Sequence, residues 1–309
     1  MRTALFTHPA CLGHDTGIGH PECVDRLRVV LRALEDEAFT LLDRREAPAA
    51  TEAQIARVHP APHFARIMGA LPAHGHAMLD GDTVVCPASG EAALRAAGAV
   101  AAAVDAVAAG KVRNAFCAVR PPGHHAEPDK AMGFCLFNNA AVGALHARAV
   151  HGLERVAVID FDVHHGNGTE AAFEADPALF YASTHQWPLY PGTGAREHAG
   201  RHGNVVNVPL PARSGSAEFR HGVQTWILPA LRAFRPDLVI ISAGFDAHRR
   251  DPLAGLQLVE DDFVWATRRL CGIADETCGG RVVSVLEGGY DLQALAASAA
   301  AHVRELMAN

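Results

Sequence analysis

Short apolar runs rich in valine, isoleucine and leucine recur along the chain, and between most of them lie longer stretches whose apolar residues fall three or four positions apart. The short runs, at residues 3–6, 115–119, 156–159, 179–182, 205–208, 238–241 and 282–286, read as buried strands. The longer stretches, at 23–37, 90–109, 139–151, 217–234, 261–277 and 292–307, read as helices. Ser89 is a natural N-cap with Glu91 in the first turn behind it, and Gly110, Gly152 and the Gly279-Gly280 pair are helix stops. The alanine-rich stretch 92–109 reads as an ordinary packing helix, because Leu94, Val100, Val104 and Val107 recur on it at helical spacing.

Strands alternating with helices imply an α/β fold, with a mostly parallel central sheet covered by helices on both faces. No internal repeat and no Ser/Gly-rich linker divides the chain, so one domain over residues 1–309 is expected. Three long irregular stretches, 121–137, 184–204 and 243–258, each follow the C-terminal end of a strand. Open α/β sheets bind ligands at that edge, which marks these stretches as walls of a site.

Composition narrows the class. The chain has 309 residues, is 49% hydrophobic and 20% charged, and carries a net charge of −7, as a soluble globular protein does. That charge argues against holding nucleic acid through the overall field. No run of about 18 apolar residues predicts a membrane span. The first residues lack the apolar length and cleavage site of a secretion signal. Cys11, Cys23, Cys86, Cys117, Cys135, Cys271 and Cys278 are odd in number and form no Cys-x-x-Cys pair. They read as reduced thiols of a cytoplasmic protein.

The strand ending at Ile159 runs straight into Asp160-Phe161-Asp162-Val163-His164-His165. Two carboxylates and two imidazoles at the exit of a buried strand are unfavourable there unless they bind something. Alternation along an extended chain puts Asp160, Asp162 and His164 on one side. Carboxylate oxygen together with imidazole nitrogen suits zinc. Asp246, read singly, is an ordinary turn or N-cap residue. Because it follows the strand 238–241 at the same sheet edge, it becomes the third protein ligand, leaving one position open as catalytic zinc does. His165 is left with a structural reading.

Arg120-Pro121-Pro122-Gly123-His124-His125 leaves the strand 115–119 through a stiff proline turn. Two imidazoles beside a zinc site can act as general base and acid, because they titrate near working pH. Asp160 shares the ligands' face without being needed as one, so it is the carboxylate that orients one of these imidazoles. Glu287-Gly288-Gly289-Tyr290 turns tightly after the strand 282–286 and brings Tyr290 to the same edge, where its hydroxyl can donate to a developing oxyanion. Gly166-Asn167-Gly168-Thr169-Glu170-Ala171 matches a dinucleotide fingerprint in spacing. Carboxylates would repel a pyrophosphate there, and the next strand lacks the acidic residue that holds a ribose. No His-Glu-x-x-His, Walker-type or Gly-x-Ser-x-Gly motif is present.

Together, the runs from Arg120 to Ala126, Gly133 to Cys135, Asp160 to Thr169, Ser242 to Ala247 and Leu286 to Leu292 resemble the zinc-dependent histone deacetylase family. The likeness is greatest to class II and its bacterial amidohydrolase relatives, and extends from about His20 to the last helix. It implies an arginase-like α/β fold with a mostly parallel sheet of about eight strands. It also implies a zinc ion bound by Asp162, His164 and Asp246, and hydrolysis of an acyl-lysine amide. By the same resemblance His125 is the general base and later the acid, and Asn167 is its partner. His124, with Asp160 behind it, is chiefly electrostatic, and Tyr290 stabilises the tetrahedral oxyanion.

The resemblance further implies potassium beside the zinc, at Asp160, Asp162, His164 and Ser183. Phe134 and Tyr190 match the aromatic walls of an acyl-lysine channel, with Gly133 giving a backbone contact. Tyr190 stands where Phe is more usual, and Cys23 stands in the entrance loop where many bacterial relatives have a basic residue. The expected substrate is an acyl-lysine protein or peptide, with acetylpolyamine or another small acylated amine as the alternative. The polyamine-specific branch carries Glu at the channel mouth where this chain has Leu253, which favours lysine. A non-catalytic acyl-lysine binder is disfavoured by the intact ligand set, the histidine pair and Tyr290. Neither nucleic acid nor a membrane is an expected partner.

Overall fold

Ten strands are formed in the computed structural model, which describes residues 2–309. In chain order they are β1 (Thr3–Thr7), β2 (Asp43–Glu46), β3 (Ala77–Met78), β4 (Val84–Val85), β5 (Asn114–Cys117), β6 (Val156–Asp160), β7 (Leu179–Gln186), β8 (Val205–Leu210), β9 (Leu238–Ala243) and β10 (Val282–Leu286). β3 and β4 make a small antiparallel hairpin. The other eight form one parallel sheet in the order β2-β1-β5-β10-β9-β6-β7-β8.

The helices are α1 (Val24–Ala33), α2 (Glu52–Ile55), α3 (Ala61–Gly69), α4 (Ser89–Ala108), α5 (Asn139–His151), α6 (Asn167–Phe173), α7 (Ser216–Gly222), α8 (Leu228–Phe234), α9 (Glu260–Cys278) and α10 (Leu292–Ala308). α4 and α5 pack on each other over β5, β10, β6 and β9, while α9, α10 and α1 form a second layer. Every residue of β5, β6, β9 and β10 is buried, which explains why these strands are apolar apart from Asn114, Asp160, Ser242 and Ser284.

The topology is what gathers the chemistry. β5 and β6 are consecutive strands of the sheet along the chain, yet β10 and β9 insert between them. The C-terminal ends of β5, β10, β9 and β6 are therefore neighbours, and the four segments released there meet at one edge of the sheet.

Several elements differ from the sequence pattern. β2 has no apolar run; its Asp-Arg-Arg-Glu sequence lies at the sheet edge with side chains alternately half-buried and exposed, and pairing with β1 defines it. Charged residues suit an exposed edge. β7 runs on through the polar residues 183–186, and the short helices α2, α3 and α6 carry too few apolar residues to stand out. The helix expected over 217–234 is α7 and α8 joined by a π-helical turn, Val223–Ile227. Pro229 lies in the first turn of α8, and its missing N–H and bulky ring disrupt the regular ladder just before it. Ser89 is not an N-cap. It is the first residue of α4, and its hydroxyl accepts the Cys86 N–H at 2.8 Å and pairs with His14 Nδ1 at 2.7 Å.

Candidate active site

Asp160 is the last residue of β6, and the chain then leaves the extended conformation. Carboxylates shape the turn beyond it. Asp160 Oδ1 accepts the N–H of Asp162 at 3.1 Å, Asp162 Oδ1 that of His164 at 2.9 Å, and Asp246 Oδ1 that of Val163 at 2.9 Å. Asp160, Asp162 and His164 converge as expected, but through this hydrogen-bonded turn rather than through strand alternation.

His164 Nδ1 lies 3.1 Å from Asp162 Oδ1 and 3.2 Å from Asp246 Oδ2, and all three residues are buried. One potential ligand atom from each lies within 4.8 Å of the others. Burial and the nearby charge of Asp162 push Asp246 up to about 7. Burial also opposes ionisation of Asp162, but His124 and His164 outweigh it and hold that carboxyl well below the usual range. Two glycines make room for this crowding. A Cβ on Gly244 would run into Asp162, and one on Gly288 into both Asp246 and Asp162. The Gly288 N–H itself donates to Asp162 Oδ2 at 2.8 Å.

The histidine pair comes from the segment after β5. His124 Nδ1 meets Asp160 Oδ2 at 2.9 Å. Burial disfavours its charged form, but Asp160 and Asp162 outweigh that and raise it well above the ordinary imidazole value. His125 behaves in the opposite way: burial, reinforced by His124 and His164, holds it well below that value. Its Nδ1 meets Asn167 Oδ1 at 2.8 Å, while Asn167 Nδ2 donates to Glu127 Oε1 at 2.7 Å. The amide is thereby oriented, His125 must donate from Nδ1, and the lone pair of its Nε2 is left free.

A cavity of about 230 Å³ opens above these groups. Gly133, Phe134, Tyr190 and Leu253 line it together with His125, His164 and Tyr290, and so do Asp82 and Leu189, which no sequence motif marks. The rings of His125 and Tyr190 stand edge to face, with centroids 5.1 Å apart. Phe134 adopts φ 68, the left-handed region that a bulky residue avoids. It is held there by its N–H to Thr83 Oγ1 at 3.2 Å and by the His20 ring at 4.9 Å. Backbone strain at the wall of a cavity is typical of functional sites. Burial, with Asp246 and Asp162 adding to it against Arg26, raises Tyr290 well above the ordinary phenol value, so its hydroxyl stays protonated.

Ser183 faces Asp160 in register across β6 and β7, and its hydroxyl pairs with His185 Nδ1 at 2.9 Å. Cys23 occupies the N-cap position of α1 and lies outside the cavity lining. His165 is fully buried between Glu170 Oε2 at 2.9 Å and Thr193 Oγ1 at 2.8 Å, a packing role. Glu287 is a site residue that the sequence pattern hides behind the glycines beside it. Its Oε2 accepts the N–H of Gly123 at 2.6 Å and of His124 at 3.2 Å, which fixes the histidine pair to the exit of β10. The signal that could have found it is the same as at Asp160: a carboxylate directly after a buried, mainly apolar run.

A second group with metal-ligand chemistry, Asp105, His146 and His151, lies between α4 and α5. There Asp105 Oδ1 receives His146 Nε2 at 2.7 Å and His151 Nε2 at 2.6 Å. Arg57 donates to His146 Nδ1 at 2.9 Å, so His146 must carry its proton on Nε2, where a metal would need the lone pair. This group is a hydrogen-bonded clamp.

Comparison with known sequences matches residues 20–306 to the histone deacetylase domain. The chain belongs to the histone deacetylase family. It is a deacetylase-type amidohydrolase by that membership. Histone deacetylase 14, chloroplastic, of Arabidopsis thaliana is 40% identical over 98% of this chain and 76% of its own length. A histone deacetylase-like amidohydrolase of Pseudomonas aeruginosa is 40% identical over 94% of this chain and 82% of its own. The solved HD domain of HDA15 covers 100% of the chain and 88% of its own at a TM-score of 0.94 and 37% identity. The expected family and α/β fold are therefore those of the molecule.

Proposed function

We propose that this family member is a zinc-dependent amidohydrolase that removes acetyl, or a longer acyl group, from the Nε of lysine in proteins or peptides. One observation carries the reading: Asn167 leaves the Nε2 lone pair of His125 free in a cavity that His164 and Tyr290 also line. Asp162, His164 and Asp246 would hold the zinc. Two buried carboxylates and one imidazole, with Asp246 pushed up to about 7 by burial and by Asp162, form a donor set that a divalent cation neutralises. Bound there, zinc supplies a Lewis acid that polarises an amide carbonyl and acidifies a water molecule.

The chain's own groups do the rest. His125 accepts the proton of the attacking water at Nε2 and later hands one to the leaving amine. His124, favoured in its charged form by the Asp160 carboxylate 2.9 Å away, adds positive charge beneath the reaction. The protonated hydroxyl of Tyr290 donates to the oxyanion as it forms. Phe134 and Tyr190 flank the chain of methylenes that leads to the amide. Leu253 stands in the cavity lining where the polyamine-specific branch carries Glu, which favours a lysine side chain; Asp82 is the one carboxylate of that lining, and the rates below compare the two substrate classes directly.

A potassium ion at Asp160, Asp162, His164 and Ser183 belongs to the same reading, supported by the register of Asp160 with Ser183. Seven free thiols, and no helix among the described residues long and apolar enough to cross a membrane, support a cytoplasmic place of action on protein or peptide rather than on nucleic acid or lipid.

The test is a side-by-side rate measurement on zinc-loaded protein with acetyl-lysine peptides, longer acyl-lysines and acetylpolyamines. Faster turnover of the polyamines would overturn the substrate, and no turnover of any would overturn the activity. Elemental analysis of Asp246→Ala should show lost metal; retained zinc would remove Asp246 from the ligand set.

A further inference from the structure

The turn that carries Tyr290 is gripped from two sides. Arg26 of α1 donates from Nη2 to the Glu287 carbonyl at 2.5 Å and from Nε to the Gly289 carbonyl at 2.6 Å, with its guanidinium 4.8 Å from the Tyr290 ring centre. Asp251 holds the opposite polarity. Its Oδ2 accepts the Tyr290 N–H at 2.7 Å, and its Oδ1 accepts the Leu253 N–H at 3.0 Å. The Asp251 carboxylate is buried, and its own N–H donates to the His248 carbonyl at 2.9 Å, so it is anchored within the segment that begins with Asp246.

One carboxylate thus joins two walls of the cavity, because Leu253 and Tyr290 both line it. The join is needed at this point. Gly289 stands at φ 125, a conformation side-chain-bearing residues rarely adopt, and the glycine pair leaves the peptide before Tyr290 little steric guidance of its own. Hydrogen bonds to a carboxylate are short and directional, so they supply the orientation that the glycines do not.

Resting on the amide-hydrolase reading above, we infer that Asp251 is a positioning residue that sets the Tyr290 hydroxyl at the reacting carbonyl and ties its placement to the channel wall at Leu253. It touches neither substrate nor metal in this role. It acts through Tyr290, and that makes it separable from a residue that only stabilises the fold.

The experiment is a double-mutant cycle on zinc-loaded protein: wild type, Asp251→Asn, Tyr290→Phe and the double variant. Asn keeps one acceptor oxygen but turns an N–H toward the second donor. Asp251→Asn should lower kcat by about 10- to 100-fold, the range expected for a misplaced reacting group, with KM changed by less than about threefold. In the Tyr290→Phe background the same substitution should cost less than about twofold, because the group it positions is already gone. Multiplicative losses, or an unchanged kcat in the single variant, overturn the inference. Asp251→Glu keeps both acceptors and should recover part of the loss; the same cycle is run with it if the Asn variant does not fold. Affinity for a straight-chain alkyl hydroxamic acid is read across the same four proteins. If wild type hydrolyses no acyl amide, the proposed function falls. The affinity cycle still decides the positioning role, non-additive losses supporting it and additive ones overturning it.

Discussion

His125 Nδ1 meets Asn167 Oδ1 at 2.8 Å, and that oxygen belongs to a neutral amide. Its neighbour His124 faces a carboxylate instead, so two adjacent imidazoles are pushed in opposite directions from the ordinary value. Asn167→Asp would give His125 a charged partner and raise its pKa by about one to three units. The acid limb of kcat/KM reports protonation of the base, so activity at low pH should be lost and the limb should move upward by at least about one unit. A limb that stays in place would separate His125 from the proton transfer.

Tyr290→Phe and His125→Ala remove a donor and a base without removing a ligand. Each should lower kcat by about 10²- to 10³-fold while the zinc content stays at the wild-type level. Steady-state rates and elemental analysis on the same preparations check both halves. Full activity in both variants would sink the proposed chemistry.

Gly288 tests the donor set from its backbone side. A Cβ there collides with the carboxylates of Asp162 and Asp246, so Gly288→Ala must displace at least one of them. Metal affinity should fall at least about tenfold, as when the groups supporting metal ligands are disturbed. Competition against a chelator measures it, and unchanged affinity would argue that the metal lies elsewhere.

Stability should depend on pH through buried histidines that do not line the cavity. Burial lowers His302 and His185 to about 3 and His59 to about 4, with His165 and His63 adding to the effect on the latter two. The unfolded chain binds these protons near pH 6.5 while the folded chain does not. Stability is therefore complete above about pH 6.5 and falls as pH drops toward 4, by roughly 1.4 kcal/mol per unit for each histidine. His302 sits between the hydroxyls of Thr267 and Ser284 and can be replaced by Gln. Urea midpoints against pH should show a shallower slope in His302→Gln, by about one histidine's share; an identical slope would refute the assignment.

Much of the fold and site is legible in the sequence, for a physical reason. Strands buried on both faces are dominated by apolar residues, so β6, β9 and β10 stand out, and so does a charged residue at or just beyond their exits. Asp160, Asp246 and the run to Tyr290 announce themselves by that contrast. β2 does not, since an edge strand needs only a backbone partner. Asp251 and Arg26 act through backbone atoms of residues far away in the chain, and nothing in their local pattern reveals it. Asp82 lines the cavity because the β3–β4 hairpin happens to fold beside it, a contact that local periodicity does not encode.

The insertion of β10 and β9 between β5 and β6 also has a consequence for synthesis on the ribosome. Residues 1–235 supply the two outer groups of strands, β2-β1-β5 and β6-β7-β8, but leave a gap between them, with unpaired edges of β5 and β6 facing inward. At that stage the histidine pair and Asp162 are on separate halves, and Asp246 and Tyr290 have not been made. The nascent chain is thus inert toward acyl amides and prone to pairing with other chains until residues 238–290 emerge. Chemistry and safe closure of the sheet arrive in the same step, once residues 238–290 have been made.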